Sequence, residues 1–159
     1  MKKRLLLIIT TLFIIINLVG CGTSTVKNKV ENAPNQAKND LMKLPNDLQA
    51  DMGTGSFYIS TSSGTSKNGA TPIIYTKKDT QVEQLELNTS GFNGKNLSYI
   101  FVDSALNTKH QLSDSKLNIN LKGNELTVGK HRVDIVQFNN KTNDKVITHK
   151  VAYYEIKTK

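Results

Sequence analysis

Three regimes of hydrophobic patterning divide the chain. Residues 5–16 are apolar apart from Thr10 and Thr11. Residues 22–55 are polar, with two prolines (Pro34 and Pro45) and few branched apolar side chains. From residue 56 onward apolar residues return in short runs, with Gly, Asn and Ser between them. Period-two alternation buries one face of a strand and wets the other. The runs predict strands at 56–63, 72–76, 81–89, 97–103, 108–112, 116–122, 130–138 and 145–157. Leu85 and Leu87 share one face of their run, against Gln84, Glu86 and Asn88 on the other. Leu117, Ile119 and Leu121 do the same in theirs. Residues 97–103 are nearly all apolar, which predicts a central strand, and 108–112 is the weakest. Pro72 has no N–H to donate and suits a strand start or a sheet edge. Lys67-Asn68-Gly69, Asn93-Gly94 and Gly123-Asn124 read as turns, and residues 139–144 as a polar loop. The expectation is an all-β sandwich of seven or eight strands over residues 56–159, without a helix.

The first twenty residues read as an address. Lys2, Lys3 and Arg4 precede the apolar run, which is shorter than the roughly 20 residues of a membrane span. This order of basic flank and short apolar run is that of a signal peptide over residues 1–20. Leu18, Val19 and Gly20 then lead into Cys21. The tetrapeptide resembles the bacterial lipobox. That resemblance implies a diacylglycerol on the Cys21 thiol and cleavage before Cys21, which leaves 139 of the 159 residues. Two acyl chains give stable anchoring where one gives marginal binding. The expected location is the outer face of a bacterial membrane, and the expected membrane contact is the lipid on Cys21.

Residues 21–55 read as the lipidated cysteine and a solvated linker. Lys27, Lys29, Lys38 and Lys43 balance Glu31, Asp40, Asp47 and Asp51. Residues 36–44 could place Ala37, Leu41 and Leu44 on one helical face, but so short a helix is marginal alone. A flexible coil of this length reaches ~30 Å.

Composition narrows the chemistry. A single Cys excludes an intrachain disulfide and a multi-cysteine metal site. His110, His131 and His149 form no metal-binding or triad spacing, and each reads as a solvated or edge-strand side chain. If 130–138 and 145–157 pair about the 139–144 loop, His131 falls opposite Tyr153 and His149 opposite Ile135. Asp103, Asp114 and Asp134 lack the dense spacing of a calcium loop. Residues 60–63 carry serines without a nucleophile elbow. No catalytic residue, metal or cofactor is expected. Residues 56–159 hold 14 Lys and Arg against 9 Asp and Glu. The positive charges are scattered and include only Arg132 as arginine, so nucleic acid is not an expected partner.

The apolar centre of 97–103, the Leu117-Ile119-Leu121 strand, the segment 126–138 and the segment 151–156 together resemble an immunoglobulin-like sandwich. Gly129-Lys130-His131-Arg132-Val133 is similar to the start of the penultimate strand in bacterial Ig-like repeats. The cysteine pair and tryptophan of antibody domains are absent. Signal, linker and domain together resemble small lipoproteins encoded with Gram-positive conjugative-plasmid transfer genes. The resemblance implies a monomeric, non-catalytic domain that binds a protein or cell-wall partner through loops at 62–70, 91–96 and 139–144. Two alternatives stand beside it. One is a small-ligand receptor or enzyme accessory lipoprotein. The other is release of residues 13–20 as a peptide resembling Gram-positive sex pheromones.

Overall fold

The computed structural model describes residues 43–139 and 145–159. The signal segment, Leu18, Val19, Gly20, Cys21 and most of the linker lie outside these residues, as do positions 140–144 of the polar loop.

Among the described residues the strands are β1 Ser56–Thr61, β2 Gly64–Thr65, β3 Ile73–Thr76, β4 Val82–Ser90, β5 Ser98–Val102, β6 Ala105–His110, β7 Ser115–Lys122, β8 Gly129–Phe138 and β9 Val146–Thr158. They form a four-stranded sheet ordered β2-β1-β4-β7 and a five-stranded sheet ordered β3-β9-β8-β5-β6. Among these strands only β3 and β9 run parallel; every other neighbouring pair is antiparallel. The chain therefore changes sheets between β1 and β3, and Pro72 stands just before an edge strand, as expected. The helical turns are single 3-10 turns at Lys67–Gly69 and Gly123–Leu126. The molecule is an all-β sandwich of the immunoglobulin-like class.

The core follows the alternation. Leu85 lies opposite Ile119 and Leu87 opposite Leu117, while Ile59 pairs with Leu87 from the other side. Ile100 and Val102 on β5 register with Ile135 and Val133 on β8. Tyr154 and Ile156 of β9 complete the buried cluster. Each such side chain contributes about 1.5–3 kcal/mol by leaving water.

Three details depart from the sequence pattern. The hairpin partner β2 follows β1 directly, where the pattern ends a single strand. The weak strand begins at Ala105, because Asp103 and Ser104, both at positive φ, reverse the chain in two residues after β5. Leu112 then lies beyond β6, buried in the core. β5 itself lies between β8 and β6, the interior position expected of it. Finally, a bulge between Gln137 and Phe138 sets the register so that His131 opposes Tyr154 and His149 opposes Val136.

The outer face of the five-stranded sheet is also covered. Phe101 and Val136 point away from the inter-sheet core, yet both are fully buried. Leu44 N–H donates to Ser104 O at 3.1 Å beside β6, and His149 N–H donates to Met52 O at 3.0 Å on β9. The chain between these two points must cross β5 and β8, with Leu44, Leu48 and Met52 half-buried. Gly53 then passes β9 so closely that a Cβ would lie 2.1 Å from Ile147 O, at a φ of +73°. Residues 43–53, the end of the stretch read as a linker, thus form a strap on the sheet.

Candidate functional site

Two of the three histidines are buried and paired, which corrects the expectation of solvated or edge-strand side chains. His131 Nδ1 lies 2.6 Å from Asp103 Oδ2, and Nε2 donates to Thr127 O at 2.7 Å. The ring stacks on Tyr154 with centroids 5.0 Å apart. Asp103 Oδ1 accepts from Arg132 N–H at 3.0 Å. This carboxylate therefore ties the strained two-residue turn after β5 to the start of β8. A bond from near the start of this strand to a carbonyl four residues upstream is what the tyrosine corner of such sandwiches provides. Here a histidine does it. Tyr154 donates to Glu125 O at 2.7 Å, and burial first, then the Asp103 and Glu125 charges, push its phenol well above the ordinary range.

His149 lies on the strap-covered face. Its Nε2 lies 2.6 Å from Asp134 Oδ1, and its Nδ1 donates to Gln49 O, on the strap, at 2.9 Å. Arg132 adds Nη2 and Nε to the same Asp134 oxygen, at 2.7 and 3.0 Å. Asp134 and His149 are both fully buried. In each network both ring nitrogens lie within hydrogen-bond distance of an oxygen atom. These contacts hold strands, turn and strap together.

The remaining candidates are dispersed. His110, half-buried on β6, contacts Thr108 Oγ1 at 3.3 Å. Ser60 Oγ accepts from Asn88 at 2.9 Å, and Ser63 Oγ bonds the Ile73 backbone. Asp114 accepts from Gly91 N–H at 2.6 Å and Ser90 Oγ at 2.9 Å, bonds that hold its carboxyl below the usual value. Among the described residues no three His, Cys, Asp or Glu side chains could hold a metal ion, and no helix is long and apolar enough to cross a membrane.

Two grooves open along the sides of the sandwich. One of about 610 Å³ lies between β6 and β7 and is lined by Asn107, Asn118, Asn120 and Asn124. Asn107 Nδ2 reaches across it to Asn120 O at 2.9 Å and to the Glu125 carboxylate, tying the two edges together. The other, about 660 Å³, lies between β1 and β9. Lys67 Nζ sits 4.3 Å over the Tyr58 ring and Lys130 Nζ 4.2 Å over the Tyr153 ring, and all four residues line this groove. Asp51 lines it too, paired with Lys150 at 2.8 Å, which lowers the Asp51 carboxyl below its usual value. The expected loop at 62–70 supplies one wall, but the groove as a whole has no counterpart in the sequence pattern. Its residues come from distant parts of the chain, and their only sequence signal is that Tyr58 and Tyr153 fall out of phase with Ile59 and Tyr154.

No family model matches the sequence, and no curated protein matches it. Among solved structures, the chain is similar to fibronectin(III)-like modules of Clostridium thermocellum CbhA, with a TM-score of 0.37 and 11% identity over 57% of this chain and 93% of that one. It is also similar to a lytic polysaccharide monooxygenase of Jonesia denitrificans, with a TM-score of 0.31 and 14% identity over 59% of this chain and 61% of that one.

Proposed function

We propose that the chain is a lipid-anchored protein of the outer face of a bacterial membrane, whose sandwich domain binds a macromolecular partner without catalysing a reaction. The observation that carries the reading is Leu18-Val19-Gly20-Cys21, placed directly after a basic flank and a short apolar run. The β-sandwich supports the binding half of the reading, since such domains make contacts through edges and loops on a rigid frame. The buried histidine networks support it as well: their side chains are occupied in holding the fold. A short tether keeps the domain near the membrane and raises its local concentration toward partners there. A conjugative transfer or surface assembly is the setting this arrangement fits.

The test is Cys21→Ser in cells fed a fatty-acid analogue. The wild type should incorporate label and fractionate with membranes, and the variant should do neither. An unlabelled wild type that stays in the membrane fraction with residues 1–20 intact would replace lipidation by a plain apolar anchor.

A further inference from the structure

β9 has an interrupted outer edge. The strap reaches it at His149, through Met52, and β3 joins it at Glu155, whose N–H donates to Pro72 O at 3.0 Å. Among the described residues no strand pairs with that edge in between. His149 and Glu155 both direct N–H groups outward, so by alternation Val151 and Tyr153 do the same, together with their carbonyls. Both residues line the groove between β1 and β9. Two N–H and two C=O groups are thus offered along the groove, with the two donor–acceptor sets about 6–7 Å apart. Lys67 and Lys130, each held over a tyrosine ring, place ammonium groups at its walls. The carboxylate that lines the groove, Asp51, is already matched by Lys150.

We propose that this gap docks a short extended peptide segment bearing acidic side chains. The backbone spacing of an extended peptide complements the free edge groups, as in strand addition to other sheet edges. The gap between the two flanking contacts holds about four residues of such a strand. The lysines supply the charge preference, on a domain that is net positive. A sugar polymer would satisfy the lysines but does not carry N–H and C=O groups at the strand repeat. The inference rests on the reading of the domain as an interaction module, and names where and what it binds.

The experiment uses the full chain in detergent micelles, labelled with nitrogen-15, and a blocked octapeptide of alternating Val and Glu. The expected result is chemical-shift change and slowed hydrogen exchange at the Val151 and Tyr153 amides. The matching Val-Lys peptide should bind at least about tenfold more weakly. Lys67→Glu combined with Lys130→Glu should invert that preference, and both positions are on the surface, so folding is retained. Peptides of either charge binding alike, or no change at residues 151–153, would overturn the proposal; the lysines would then only guard an open edge. An oligogalacturonate that moves the same amides as strongly as the peptide would overturn the peptide assignment. None of these readouts depends on the lipid, so failure here leaves the Cys21 experiment to decide the anchoring reading separately.

Discussion

On one face of β8, Val133 and Ile135 meet Val102 and Ile100 in a core of aliphatic side chains. On the other, Arg132 and Asp134 meet His149 beneath a strap, beside the buried Phe101 and Val136. The first face is stabilised by area removed from water, which tolerates any well-shaped apolar neighbour. The second depends on directional bonds around one carboxylate, each needing its partner in place. Both faces hold fully buried side chains, but only the first could be rebuilt from hydrophobicity alone. The difference shows that burial on this sheet is reached by two routes, one collective and one pairwise.

The most damaging change should fall on the collective side. Ile119→Asp places an unpaired carboxylate among Leu85, Leu87 and Leu121, at a cost of several kcal/mol against a net stability of about 5–15. Loss of the cooperative thermal transition in circular dichroism is the expected outcome; an unchanged melting temperature would remove Ile119 from the core.

On the pairwise side, His149→Ala should cost about 3–5 kcal/mol in urea unfolding, because Asp134 stays buried with only Arg132 and Gln49 O loses its donor. Replacing the pair together, Asp134→Leu with His149→Leu, should cost less than the single change. If the double variant is the worse of the two, the network adds stability beyond that of an apolar substitute, and the two faces are more alike than described.

The smallest effect belongs to the rim. Asp114 is held below its ordinary value of 3.8 by Gly91 N–H and Ser90 Oγ, so its ionised form stabilises the fold above that pH. The contribution is lost as pH falls from about 3.8 through the lower folded value. Asp114→Asn should therefore be less stable than wild type at neutral pH, with the gap closing on acidification below 4. Parallel melting curves at both pH values would make this rim carboxylate irrelevant to the frame.

The collective face is legible in the sequence. Leu85-Leu87 and Leu117-Ile119-Leu121 announce their facing by period two, and the turn residues separate the strands. The pairwise networks are not. A histidine in a strand reads as solvated unless its partner is known, and the partners here lie far off: Asp103 is 28 residues from His131, and Gln49 is 100 from His149. The strap is hidden for the same reason, since its grip is through backbone groups of Leu44, Gln49 and Met52, which carry no side-chain signature. The bulge at Gln137 likewise shifts the expected opposition of His131 and His149 by one residue. Fold class follows from local alternation; these networks follow from register, which local pattern does not specify.

The strap also orders events in time. Lys43, Gln49, Met52 and Gly53 are made early, but Ile147, Thr148 and His149, which three of them grip, emerge from the ribosome roughly a hundred positions later. β3 waits in the same way for Glu155 to Thr158. Contacts so remote in sequence close slowly, since the loop must be ordered before they return any stability. The sandwich cannot be completed while its last strand is still being synthesised. Among the described strands, β9 therefore sets the moment at which the sandwich locks.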